Sequence, residues 1–244
     1  TNAKISVGPP FYQKLLLPFL IFFLIFMSFG PNLKWIKSSF KKIKFKQIFP
    51  FIISIIISYL IIIKTNSEHL FSTILFVSAF YLFFTASRDL IKKENHLSQK
   101  ISHFGFSLLV LAILLNSVFA DEFSANMKIG EEIKFKNSFI KFKKIETYEE
   151  KNYKSIVADF EIEDKKKIIN LKPEIRIYNQ PNILTSEADI KVSFFSDKFL
   201  VMNLLKDDDF FNVRYQIKPF MLWIWISGLL LALGGFLGLI RKFK

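Results

Sequence analysis

The chain has 244 residues, a net charge of +13 and no cysteine, and 51% of its residues are hydrophobic, with 31 phenylalanines among them. A composition this apolar is unusual for a soluble domain, and the lack of cysteine excludes a disulfide scaffold, a thiolate metal site and a thiol nucleophile. Charged residues still make up 23%, so the apolar residues must be segregated into blocks.

In chain order, five stretches are free of Lys, Arg, Asp and Glu: Leu15–Leu33, Gln47–Ile63, His69–Ser87, Ile101–Ala120 and Pro219–Ile240, each of 17 to 22 residues. At ~1.5 Å of rise per residue, helices of this length cross a hydrocarbon core of about 30 Å. The segment before the first stretch, Thr1–Lys14, is not a signal n-region, and no small-residue cleavage site follows that stretch. The expectation is a chain that starts partway through a longer protein.

The charge distribution sets the orientation. Between Asp121 and Lys218 there are 18 acidic and 18 basic residues, which leaves 16 basic against 3 acidic elsewhere. Most of that excess lies in Lys34–Lys46, Arg88–Lys100 and the tail Arg241–Lys244. These segments share one side of the membrane if every apolar stretch crosses, which is the positive-inside pattern. The basic balance therefore reads as topology and attraction to anionic lipid, with no nucleic-acid partner. The N-terminus and Asp121–Lys218 are expected outside, and the C-terminus in the cytoplasm. The expected domains are four transmembrane helices in 1–120 (15–33, 47–63, 69–87 and 101–120), a periplasmic β domain in 121–218, and a fifth helix with a cytoplasmic tail in 219–244.

The outer segment alternates with period two, which places one face of a strand on a core. Ala158, Phe160 and Ile162 interleave with Asp159, Glu161 and Glu163, and alternation recurs at Ile175/Ile177, Ile190/Val192/Phe194 and Val213/Tyr215/Ile217. Gly130, Asn137, Asn152, Gln180-Pro181-Asn182 and Asp207–Asp209 punctuate the runs. Six to eight short strands in a small antiparallel barrel or sandwich are predicted.

Few residues offer chemistry. Of three histidines, His103 lies one turn into a predicted span, in Ser102-His103-Phe104-Gly105-Phe106, while His69 and His96 sit at loop edges. An ionisable group at membrane depth calls for a partner or ligand, and imidazole is the usual axial ligand of haem iron. The alternative is a histidine hydrogen-bonded at the cytoplasmic interface. His69 and His96 read as solvated residues on opposite sides, so the three cannot form one metal site. Asp207–Asp209 lacks the spaced oxygens of a calcium loop. Trp223 and Trp225 read as aromatic-belt residues, and Gly228, Gly234, Gly235 and Gly238 as a packing face. No catalytic residue is identified.

Several of these segments resemble the CcmF family of cytochrome c haem lyases. Ile5–Tyr12 resembles the segment before a late transmembrane helix of that family, and Ser102–Phe106 its second transmembrane histidine motif. Leu171-Lys172-Pro173-Glu174-Ile175-Arg176-Ile177-Tyr178 resembles its periplasmic L-x-P-E-x-R-x-Y element. Thr185-Ser186-Glu187-Ala188 departs from its T-E-A-x-I run, with Ser186 as an apparent insertion. Lys218–Trp225 with Gly228 and Leu233-Gly234-Gly235 resembles its last helix. The likeness covers the C-terminal part of the family, and the family's tryptophan-rich motif and remaining histidines are not among these residues.

The resemblance implies a multi-pass protein of the bacterial inner membrane, part of a lyase that attaches haem to apocytochrome c thiols at the periplasmic face. It implies haem b in the membrane with His103 as one axial ligand of the iron, the second ligand lying upstream. Implied partners are the haem chaperone CcmE, a CcmH-type subunit that presents the apocytochrome, apocytochrome c itself, and a quinol as electron donor. Two other readings stay open: a non-catalytic scaffold or split subunit of the maturation complex, and a component that exports haem or another small molecule.

Overall fold

The computed structural model describes residues 9–30, 40–65, 70–92, 96–164, 167–205 and 210–242. Residues 1–118 and 223–244 form one compact unit and residues 119–222 another.

The first unit is helical: α1 (Pro9–Phe29), α2 (Phe40–Thr65), α3 (Leu70–Ile91), α4 (Leu97–Phe119) and α5 (Met221–Lys242). Four helices carry full-length apolar windows, at Gln47–Thr65, Leu70–Ile91, Leu97–Phe119 and Met221–Ile240, and α1 carries the shorter apolar run Leu15–Phe29. The expected class, a helical membrane protein with an inserted β domain, is borne out. α2 and α4 begin several residues before their charge-free stretches. Lysine and arginine are good helix formers, so a charge marks the edge of the hydrocarbon and not the end of the helix.

α3 is the centre of this unit. Leu75, Ala79 and Leu82 pack with Ile21 and Leu24 of α1 and with Phe106 and Val110 of α4, while Phe76 and Phe80 pack with Leu111 of α4 and Ile57 and Ile61 of α2. Phe76, Phe80 and Phe84 recur at i,i+4 and form successive stacked pairs 6.5 and 6.2 Å apart. The hydroxyls of Ser28, Ser54, Ser78 and Thr85 each donate to the carbonyl four residues back. That satisfies within the helix donors that lipid could not.

The second unit is a β-sandwich, which settles the choice between barrel and sandwich. One sheet has the order β1-β10-β9-β8 and the other β2-β3-β4-β6-β7, with β5 also paired to β4. The strands are β1 (Asp121–Met127), β2 (Glu132–Phe135), β3 (Ser138–Glu149), β4 (Tyr153–Asp164), β5 (Lys167–Leu171), β6 (Glu174–Tyr178), β7 (Leu184–Glu187), β8 (Asp189–Lys191), β9 (Ser196–Leu204) and β10 (Phe211–Pro219). All these pairings are antiparallel. These ten strands exceed the six to eight predicted, because β7 and β8 have only 4 and 3 residues, too few to show alternation.

The core holds the inward side chains the alternation named: Ala158, Phe160, Ile162, Ile175, Val213 and Tyr215, with Ile140, Phe142, Leu171, Leu200 and Met202. Phe142 and Phe160 face each other in register, their rings stacked 4.3 Å apart. A register shift between Phe142 and Lys144 marks a bulge in β3. The Tyr215 hydroxyl has no partner among the described residues; burial, and then the charge of Asp164, push its pKa up.

Two expectations fail locally. Pro219 is the last residue of β10, opposite Ser196, and not part of the fifth helix. Phe220 follows with a left-handed φ of 61° and separates strand from helix. The alternation at Ile190/Val192/Phe194 does not build a core face: β8 stops at Lys191, and all three side chains are exposed. Of the turn signals, Asp207–Asp209 lies outside the described residues.

Candidate functional site

His103 is the seventh residue of α4 and is half-buried. Helical spacing explains its setting. Ser102 and Gly105, three apart, share the face that meets α5. A β-carbon on Gly105 would lie 3.0 Å from Cβ of Leu230 and 3.2 Å from the Ser227 carbonyl oxygen, and one on Gly234 would lie 2.7 Å from the Ser102 nitrogen. Phe106, three residues past His103, turns to α1 and α3, and its ring meets that of Phe23 at 5.8 Å. The Phe104 ring lies 5.8 Å from that of Phe83. By helical phase His103 falls on the side of α4 between Phe106 and Phe104.

Asp89 of α3 is the charged group whose field reaches His103. It is buried and ion-paired with Lys92 one turn on. The sequence reading counted only the cations of this loop and passed over Asp89; a lone carboxylate at the end of an apolar stretch was the available signal. The same reading missed a polar contact inside the bundle. The Tyr81 hydroxyl donates to Oε1 of Gln47 at 2.6 Å, both residues buried. They border a cavity of about 350 Å³ lined also by Phe29, Ile48 and Phe51.

The other named residues do not gather here. His96 is exposed just before α4, and His69 lies outside the described residues. Trp225 is exposed. Only part of the predicted glycine face packs: Gly234 abuts Ser102 and Gly238 approaches Ser98, but Gly228 and Gly235 face open space. Gly234 and Gly238 are four apart, whereas Gly235 is turned about 100° from Gly234. Among the described residues no group of three or more His, Asp or Glu could hold a metal ion. A half-buried imidazole on an apolar helix, with Phe104 and Phe106 beside it in sequence, has the apolar surround of an axial haem ligand. Among the described residues no second histidine lies within a helix.

The Leu171–Tyr178 element is built into the sandwich. Leu171 is in the core, and the Pro173 carbonyl accepts from the Ala158 amide at 3.0 Å. Arg176 pairs with Glu174 at 2.9 Å and lies over the Tyr153 ring at 5.1 Å. Tyr178 faces Tyr153 in register, ring to ring at 5.3 Å. Ser186 sits opposite Ile175, and its hydroxyl donates to Oδ1 of Asn203 at 2.6 Å, joining β7 to β9 of the other sheet.

The hydrogen bond from Arg176 holds the Glu174 carboxyl below its usual value. A depressed carboxylate contributes stability that is complete above the unfolded pKa and is lost as pH falls through the lowered one. Glu174→Gln is therefore expected to flatten the acid limb of a plot of melting temperature against pH. An acid limb unchanged by the substitution would show that the pair adds nothing.

Comparison with known proteins agrees with this architecture. The family described as "CcmF C-terminal beta-sandwich" matches residues 118–219. The chain is similar to the C-terminal region of the CcmF/NrfE cytochrome c biogenesis proteins. It is 22% identical over 262 residues to the cytochrome c-type biogenesis protein CcmF of Pseudomonas aeruginosa, covering 99% of the chain and 39% of that protein. It is 25% identical over 254 residues to CcmF of Haemophilus influenzae, covering 96% and 39%, and 24% identical to NrfE of the same organism, covering 98% and 40%. The solved structure of the cytochrome c haem lyase CcmF superposes with a TM-score of 0.75 at 16% identity, covering 94% of this chain and 40% of that one. The chain thus spans about 39% of the length of CcmF relatives it matches.

Proposed function

We propose that this CcmF-type chain is the part of a cytochrome c haem lyase that supplies one axial ligand, His103, to a b-type haem in the membrane. The observation that carries this reading is the position of His103: among the described residues no other histidine lies within a helix, and it is half-buried with Asp89 as its charged neighbour. A haem bound there would supply one-electron chemistry, with a quinol as the electron donor, toward the iron of the haem to be attached. The packing of Ser102 and Gly105 against α5 fixes the ring's height along α4. CcmE, a CcmH-type subunit, apocytochrome c and a quinol are the partners this role calls for. In a strain that encodes this protein and makes c-type cytochromes, its depletion is expected to abolish covalent haem staining of those cytochromes; undiminished staining would refute the reading.

One observation favours the scaffold reading instead: the polar side chains of the Leu171–Tyr178 element are engaged with one another and with the neighbouring strand, Arg176 on Glu174 and over the Tyr153 ring. A chain acting only as scaffold would still be needed for staining, but not His103.

Orientation belongs to the same proposal, with the β-sandwich in the periplasm. His96 and Lys151 are both exposed and lie on opposite sides of this topology. With no native cysteine, Lys151→Cys is expected to react with an impermeant thiol reagent on intact spheroplasts and His96→Cys only after lysis. The reverse order would invert the topology and move the sandwich to the cytoplasm.

A further inference from the structure

We propose that one end of the β-sandwich seats in the outer interface of the bilayer, with Val192, Phe194 and Phe195 among the lipid glycerols and Lys167, Lys191 and Lys198 on lipid phosphates. This is independent of haem binding at His103.

Strand register defines that end. β1 begins at Asp121 opposite Ile217, β9 begins at Ser196 opposite Pro219, and Lys191 at the end of β8 faces Lys198. On the other sheet, β4 ends at Asp164 opposite Lys167, the first residue of β5. Lys198 Nζ donates to Oδ2 of Asp164 at 2.6 Å, tying the two sheets together at this end. Both covalent links to the helices leave from it: α4 ends at Phe119, just before β1, and α5 starts at Met221, just after β10. The backbone is drawn closer still, because the Phe220 amide donates to the Phe195 carbonyl at 2.8 Å. Phe195 is therefore one hydrogen bond from the residue that precedes a membrane-crossing helix.

The side chains at this end suit lipid better than water. Val192 is 58%, Phe194 54% and Phe195 67% exposed, and the two rings meet edge to face at 4.9 Å. Ile168, on the neighbouring β5, is 65% exposed. A contiguous apolar patch of this kind marks an interaction surface. Aromatic rings are favoured at the headgroup level, and lysines are attracted to an anionic lipid surface. Beside the patch, a cavity of about 550 Å³ is lined by Asp164, Lys167, Ile168, Lys191, Ser193 and Lys198. Three lysines against one aspartate give it the charge to accept a phosphate. The opposite end of the sandwich, at the β3–β4 turn, carries the exposed polar run Glu149-Glu150-Lys151-Asn152.

The test uses the full chain in vesicles of phosphatidylethanolamine and phosphatidylglycerol, with a single nitroxide on Val192→Cys, Phe194→Cys or, as the control, Lys151→Cys. Power-saturation EPR measures access of oxygen and of a water-soluble nickel chelate to each label. The proposal expects an oxygen-to-nickel access ratio several-fold higher at positions 192 and 194 than at 151, reduced when Lys167→Glu and Lys191→Glu are combined. The same low ratio at all three positions, the signature of water, would overturn it. So would exclusion of both reagents at 192 and 194, the signature of a protein partner, and so would a ratio indifferent to charge reversal.

Discussion

Replacing His103 with alanine is expected to change the haem spectrum of the complete lyase and to reduce cytochrome c maturation to near the level seen without the protein. On the proposed reading the imidazole is one axial ligand of the iron, and its loss would leave that position open. A haem with one strong ligand instead of two becomes high-spin or dissociates, so the reduced α-band is lost or displaced. Added imidazole is expected to restore part of the band by filling the space the side chain leaves. His96→Ala, at the exposed loop before α4, should leave spectrum and maturation unchanged and so controls for general damage. A wild-type spectrum in the His103→Ala protein would remove the ligand assignment. A changed spectrum with normal maturation would separate haem binding from the reaction.

The second large effect is on stability. Phe160 is fully buried, stacked on Phe142, and sits on β4, the strand that bonds to β3, β5 and β6. Truncating such a side chain loses its transfer free energy and leaves a cavity, together about 3–5 kcal/mol. Because net stabilities of single domains are typically about 5–15 kcal/mol, Phe160→Ala is expected to leave the sandwich marginal. Protease challenge of the membrane-inserted protein is expected to cut between residues 119 and 222 in the variant far faster than in the parent. Phe160→Leu, which keeps most of the volume, should recover most of the resistance. Equal cleavage of parent and Phe160→Ala proteins would mean that this core does not limit opening of the domain.

Sequence patterns carried the architecture far and the site only partway. Charge-free runs located the helices because a buried lysine in lipid is costly whatever its neighbours. Alternation located β4, β6 and β10 because a two-sided strand exposes every second residue. The same alternation misled at Ile190/Val192/Phe194. Period two reports a two-faced segment but not what covers the apolar face, and here no strand or helix of the sandwich does. The glycines of α5 were read as one face, although helical phase separates Gly228 and Gly235 from Gly234 and Gly238. His103 was visible as the lone ionisable group in an apolar run. Asp89 was not visible as its neighbour, because that relation depends on how α3 and α4 pack. Gln47 and Tyr81 likewise sit 34 residues apart in sequence, and only the packing of α2 against α3 brings their side chains together.

The pairing of β1 with β10 has a consequence for biosynthesis. Asp121 emerges first and Ile217 almost last, yet they are partners in one sheet. Nearly the whole domain must therefore be made before its first strand can find its neighbour, and a closure between such distant residues is slow. Until then β1 has no neighbour in its sheet, because among the described strands it pairs only with β10. The residues that complete the sheet lie directly before α5. On the proposed periplasmic placement of the sandwich, the segment that would stop export and the strand that lets the domain close would reach the translocation machinery nearly together. Folding of the sandwich would then be timed to the end of its own export, and a chain arrested before residue 211 would present an unpaired β1 edge to proteases and chaperones on the far side of the membrane.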